Sequence, residues 1–231
     1  MDFEKIDKEE YEKQLKYFYD YYGAPFREEQ GTEEILELIN KYACNGTLID
    51  FGSGSNIYFW LIAFRHIEKV LCVDISKEAF FINEQIRNKK LYPKSCEYAL
   101  KKYNKEFDKV LKTEVNYLIY DVLYSSINST IKYNNVSQFG LLGLCKSEKG
   151  YISNLEKLYN LLRKGGTLLG ANWCFSTSYS KKMGFNNNYL SEKMIQDFGK
   201  KQNCKILYVK KVPIINDPNY DSVLIYAIKH E

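Results

Sequence analysis

The chain has 231 residues, 45% hydrophobic and 16% aromatic, with a formal net charge of +4; this predicts one domain with a full core and excludes a disordered segment or a disulfide-stapled miniprotein. Only four of its 33 basic residues are arginine (Arg27, Arg65, Arg87, Arg163), so the planar fork that reads phosphates and guanines is scarce and nucleic acid is not an expected partner. Two histidines, His66 and His230, and six cysteines without a C-x-x-C pair offer no metal-ligand pattern, and the cysteines read as reduced apolar filler in a cytoplasmic protein.

Met1 to Glu10 is charged and the longest apolar run, Ile57 to Phe64, is short, so neither a targeting segment nor a membrane span is expected. Residues 7 to 22 have helical spacing, with Tyr11, Leu15, Phe18 and Tyr22 on one stripe and Tyr17 and Tyr21 on the next. That helix either packs on the core or closes as a lid whose phenol rings cover a cation, and the two roles are compatible. Gly23-Ala24-Pro25 ends it, and Thr32 to Lys41 forms an amphipathic helix leading into a first strand.

Residues 47 to 58, Thr-Leu-Ile-Asp-Phe-Gly-Ser-Gly-Ser-Asn-Ile-Tyr, run from strand through a glycine turn into a helix. Without Cβ atoms, Gly52 and Gly54 let the backbone turn sharply and approach a ligand, while the helix start offers unpaired N–H groups. A second strand, Val70 to Val73, ends in Asp74 about 20 residues beyond the glycines, where such folds set a carboxylate on ribose hydroxyls. Ser55-Asn56 stands where a dinucleotide site has its third glycine, and Asp50 before the turn repels a diphosphate but attracts an ammonium. S-adenosylmethionine (SAM) fits both features.

Further on, Ser76 caps a helix to about Asn88, Cys96 to Leu111 reads as another, and Val115 to Tyr120 is a third strand ending at Asp121. Asp121 with Val122 is set to accept from the adenine amino group and donate a backbone N–H to the ring. A fourth strand falls near Asn135 to Phe139, a helix spans about Tyr151 to Leu162 with its stop at Arg163-Lys164-Gly165-Gly166, and Thr167 to Ala171 is the fifth strand. Ser176 to Asn188 reads as a polar loop, Ser191 to Phe198 as a helix, and Ile206 to Val209 and Val223 to Ile228 as closing strands. Asp217-Pro218-Asn219-Tyr220 between them reads as a plain turn, and Asn128-Ser129-Thr130 as a chance match to the glycosylation pattern. The alternation predicts an α/β domain spanning the whole chain, with a mostly parallel seven-stranded sheet closed by an antiparallel C-terminal strand.

The quoted glycine turn, Val73-Asp74-Ile75-Ser76, Tyr120-Asp121-Val122, Leu161-Leu162-Arg163-Lys164-Gly165-Gly166 and Tyr17-x-x-x-Tyr21-Tyr22 together resemble the nicotinamide, phenylethanolamine and thioether methyltransferase family. The resemblance implies a class I SAM-dependent methyltransferase fold with residues 1–30 as a helical lid. It implies that Tyr22 and Tyr58 hold the SAM carboxylate, Gly52, Gly54 and Asn56 the methionine part, Asp74 the ribose, and Asp121 and Val122 the adenine. Ser53, Ile75, Gln138 and Phe139 complete the expected cofactor wall, Tyr17 and Tyr179 flank the acceptor, and Tyr17, Tyr21 and Tyr22 cover the sulfonium.

Leu142 and Asn172 stand where relatives carry substrate-facing acids, so the expected acceptor is a small neutral nucleophile: a thiol, thioether, selenide or heteroaromatic nitrogen. The alternative is closure of SAM upon itself to azetidine-2-carboxylate and methylthioadenosine, with Gln138, Asn172 and Tyr179 folding the methionine chain. A SAM-binding module without turnover is the third reading. A small-molecule substrate is the one expected partner of a monomer.

Overall fold

The computed structural model describes residue 3 and residues 5–127 and 129–231; Asn128 of the glycosylation pattern lies outside them. Seven strands, β1 (Gly46–Phe51), β2 (Ile67–Asp74), β3 (Glu114–Ile119), β4 (Tyr133–Phe139), β5 (Leu162–Phe175), β6 (Lys205–Pro213) and β7 (Tyr220–Lys229), form one sheet ordered β3-β2-β1-β4-β5-β7-β6. β1 to β5 pair in parallel, and β7 runs antiparallel to both β5 and β6. The order reverses between β1 and β4, which opens a crevice at the carboxyl edge of the sheet.

Helix α1 (Lys8–Tyr21) begins where the Asp7 carboxylate accepts from the Glu10 N–H, and it buries Phe18. α2 (Thr32–Tyr42) buries Ile35, Leu36, Leu38 and Ile39. α3 (Ile57–Leu61) is a short, wholly buried helix after the glycine turn, and α4 (Lys77–Arg87) starts at the Ser76 cap. The predicted helix from Cys96 to Leu111 is two, α5 (Cys96–Lys102) and α6 (Phe107–Val110). The break falls at Asn104, which takes φ 50°, a left-handed conformation that Asn tolerates and a helix does not.

β4 is longer than its polar sequence implies because its amides bind the chain entering β1. Asn134 Oδ1 accepts from the Thr47 N–H at 3.0 Å, and Asn135 exchanges bonds with the Cys44 backbone at 2.7 and 2.8 Å. α7 (Glu148–Tyr159) stops before Leu162, so Arg163 to Gly166 belongs to β5 and not to a helix end. Gly165 and Gly166 are held there by backbone bonds to His230. The polar loop after β5 contains α8 (Thr177–Met183), capped by Ser176, and α9 (Glu192–Gln202) follows the Ser191 cap. Among the described residues no helix is long and apolar enough to cross a membrane.

Candidate functional site

The three strand-end acids lie at the crevice, each in a different setting. Asp74, ending β2, accepts from the Gly54 N–H at 2.9 Å and from the Ser76 N–H at 3.0 Å, so it clamps the glycine turn to the start of α4. A carboxylate has about four lone-pair sites, and two bonds leave it free to take ribose hydroxyls. Asp121 accepts from the Leu123 N–H at 3.1 Å and so shapes the turn carrying Val122. Asp50 is only 2% exposed and receives the Ser137 hydroxyl; burial raises its carboxyl to about 7 against the bonds from Ser137 and Ser53.

Two cavities meet at Gly52. One, of about 320 Å³, is an apolar slot whose walls include Ile75, Val122, Leu141, Met183 and Phe185, with Asp74 and Asp121 at its polar edge. The other, of about 200 Å³, is lined by Tyr17, Tyr21 and Tyr22 together with Phe59, Trp60 and Trp173. Gly52 takes φ +68°, and a Cβ there would stand 2.9 Å from Leu141 Cβ, so only glycine fits this shared wall without displacing Leu141.

Ser53, Gly54 and Phe139 also line the second cavity; the Ser53 hydroxyl donates to the Asp50 carbonyl at 2.8 Å, and Phe139 packs on Trp60 with centroids 4.6 Å apart. The rings of Tyr17 and Tyr21 are 4.5 Å apart and about half exposed. Burial, followed by neighbouring phenols, pushes the Tyr22 hydroxyl well up, and burial followed by Tyr21 and Asp74 raises Tyr17, so both phenols stay protonated donors. α1 packs on the core through Phe18, and its Tyr17 and Tyr21 line the second cavity.

Six expected contacts, Asp50, Asn56, Tyr58, Gln138, Asn172 and Tyr179, line neither cavity. Tyr58 is fully buried and points toward Glu84 and Tyr117 beside α4; the one-turn α3 turns it away from the crevice. Asn56 caps α3 by accepting from the Phe59 N–H at 3.3 Å. Gln138 and Asn172 exchange two 3.0 Å bonds and join Tyr151 and Tyr226 in a closed network, all four fully buried. Gly170 makes that network possible, since a Cβ there would strike the Tyr226 ring. Their amides are spent on the core, as is Leu142, and none is free to orient a ligand. Tyr179 stands behind Tyr220 at 5.4 Å, with Lys182 Nζ 5.9 Å from its own ring centroid.

Two residues outside the expected set also bear on the site. Ser95, after Pro93, is 2% exposed, lines the second cavity, and has a hydroxyl without a hydrogen-bond partner among the described residues. Asn83 on the buried face of α4 accepts from the Ile57 N–H at 2.9 Å and donates to the Gly54 carbonyl at 2.8 Å, holding the glycine turn from behind. An amide among Ala79, Phe80, Ile82 and Ile86 was the clue to that role. Among the described residues no group of His, Cys, Asp or Glu could hold a metal ion.

No protein-family model and no curated protein sequence matches the chain. Solved structures do. The N-methyltransferase NodS from Bradyrhizobium japonicum WM9, in complex with S-adenosyl-L-homocysteine (SAH), superposes with a TM-score of 0.57 at 10% identity over 86% of this chain and 84% of its own. Magnesium protoporphyrin IX methyltransferase (ChlM) from Synechocystis PCC 6803 with bound SAM gives 0.56 at 11% over 87% and 79%. The DhpI-SAM-HEP complex gives 0.56 at 10% over 97% and 100%. At such identities the likeness is one of fold, and the fold is that of the class I SAM-dependent methyltransferases.

Proposed function

We propose that the chain is a SAM-dependent methyltransferase acting on a small nitrogen, sulfur or selenium nucleophile in a closed pocket. The observation that carries this is the pair of cavities that share Gly52 as a wall residue, an apolar slot edged by Asp74 and Asp121 and a tyrosine-roofed chamber. An adenosyl group matches the slot: Ile75, Val122 and Leu141 cover the base, Asp121 with Val122 reads its edge, and Asp74 takes the ribose. The methionine part would cross Gly52 and Gly54 toward Tyr22 and the unpartnered Ser95 hydroxyl, which suits a carboxylate acceptor. The structures of NodS, ChlM and DhpI, whose bound ligands include SAM or SAH, support the same reading.

Bound SAM supplies an electrophilic methyl group on a sulfonium. The chain's own contribution is largely positioning, for which about 7–11 kcal/mol is available in well-oriented displacements. Tyr17, Tyr21 and Tyr22 exclude water from above, and aromatic faces near a sulfonium contribute about 0.5–2 kcal/mol. The closure of SAM upon itself keeps less support, since Gln138 and Asn172, its proposed amine-orienting groups, are bonded to each other in the core.

The test is incubation of the purified protein with SAM, alone and with thiol, pyridine and amine acceptors, followed by mass analysis. SAH with a methylated acceptor is the expected outcome. Methylthioadenosine from SAM alone would mean cyclisation, and SAM binding without either product would mean a non-catalytic module.

A further inference from the structure

A third cavity, of about 530 Å³, opens at the amino edge of the sheet, the end opposite the glycine turn. Three segments build it. Arg65 and His66 lead into β2, Lys112 and Thr113 lead into the neighbouring parallel strand β3, and Asn104 and Lys105 lie in the break between α5 and α6. Asn104 ends α5 in its left-handed conformation, and from the next position the Lys105 ammonium donates to the Phe64 carbonyl. Leu61, Phe64 and Val110, all buried, supply apolar lining.

We propose that this cavity is a second ligand site, apart from the cofactor crevice, in which Arg65, Lys105 and Lys112 receive a small ligand carrying two or more phosphate groups. Binding here is independent of the methyltransferase reading, which concerns the other edge of the sheet.

The charges on the wall are the first support. Of its four cations only Lys109 is paired, with Glu106 at 2.9 Å. Arg65, Lys105 and Lys112 form no ion pair among the described residues, and the one remaining carboxylate of the wall, Glu68, is exposed and stands 3.9 Å from His66 Nε2. The neighbouring cations Lys69, Lys89 and Lys102 are held by carboxylates at 2.8, 2.7 and 2.5 Å, which concentrates the unspent charge in the cavity.

Lys105 is the second support. It is half-buried, its ammonium is held by a carbonyl alone, and burial lowers its pKa with no carboxylate to offset the effect. An ammonium drawn out of water without a counter-charge costs stability, and a bound anion supplies the missing partner. The third support is the space itself, which falls in the range of about 300–1,000 Å³ usual for ligand pockets. A cleft lined mainly by one sign of charge between apolar walls also focuses its field on the ligand.

A single carboxylate would answer one of the three free cations and leave two unanswered. A di- or triphosphate answers all three, with the planar fork of Arg65 on one phosphate and the two ammonium groups as point charges on the others. Neutral and cationic ligands gain nothing there.

The experiment is calorimetric titration of the full chain with sodium tripolyphosphate at pH 7.5. The wild type is expected to bind one equivalent, more weakly as salt is raised. Arg65→Gln/Lys112→Gln changes two exposed side chains and is expected to weaken binding by at least about tenfold. Lys105→Met is expected to weaken it as well, with circular dichroism confirming that each variant is folded. Lys200→Gln/Lys201→Gln removes the same charge from α9, on another part of the surface, and is expected to leave binding unchanged. Sedimentation with phosphatidylcholine vesicles carrying phosphatidylinositol bisphosphate tells the source of the phosphates. A soluble ligand predicts no pelleting, whereas pelleting that Arg65→Gln/Lys112→Gln abolishes would place the same chemistry on a lipid headgroup. Heats that do not saturate, equal weakening in the two double variants, or undiminished binding by Arg65→Gln/Lys112→Gln would overturn the inference.

Discussion

Asp50→Asn tests whether the acid under the glycine turn is held at a cost to the fold. In the unfolded chain this carboxyl titrates near 3.8, and in the folded one burial raises it to about 7. The folded state therefore binds the proton more tightly, and stability from this group is fully present below 3.8, falls as pH rises from there to 7, and is lost above 7. At about 1.4 kcal/mol per pH unit, the full span corresponds to about 4 kcal/mol.

Asparagine retains an oxygen for the Ser137 hydroxyl and has no charge to desolvate. Denaturant unfolding of wild type and variant at pH 5, 6, 7 and 8, followed by circular dichroism, isolates the group because every other titration is shared. The variant is expected to gain on the wild type by about 1.4 kcal/mol for each unit between pH 5 and 7, with the gain levelling off near pH 8. A difference that is constant with pH, or that runs the other way, would refute the assignment of a desolvated carboxyl at this position.

Gly52→Ala forces a side chain into φ +68° and against Leu141, and is expected to destabilise the protein by about 1–3 kcal/mol and to weaken SAH binding, read by thermal unfolding and calorimetry. Tyr226→Phe removes a hydroxyl bonded to Gln138 and Tyr151; it should cost about 1–3 kcal/mol in a denaturant melt and leave SAH affinity unchanged, since the network lines neither cavity. Ser95→Ala removes a hydroxyl that has no hydrogen-bond partner among the described residues. It should leave the melting temperature unchanged or higher while weakening SAH by about tenfold, the equivalent of about one hydrogen bond.

Much of this was legible in the sequence because the signals were local. The strand, glycine turn, helix and Asp74 follow one another within a single β-α-β unit, and the caps at Ser76 and Ser191 precede helices where side-chain oxygens can reach an N–H group three residues on. What escaped was fixed by distant partners. Asn134 and Asn135 look unlike strand residues until their bonds to Thr47 and Cys44 are seen. The family resemblance points to Gln138 and Asn172 as site amides, yet Tyr151 and Tyr226 arrive from elsewhere in the chain to satisfy them. The family resemblance led correctly to the fold, and the geometry diverges from its expectations at Tyr58 and Asn56, where α3 is only five residues long.

Calorimetric titration of SAH into wild type and Asp74→Ala decides whether the two cavities that share Gly52 hold an adenosyl sulfonium. One equivalent is expected to bind the wild type and none the variant, with circular dichroism unchanged. No binding heat in the wild type, or equal affinity in the two proteins, would contradict it.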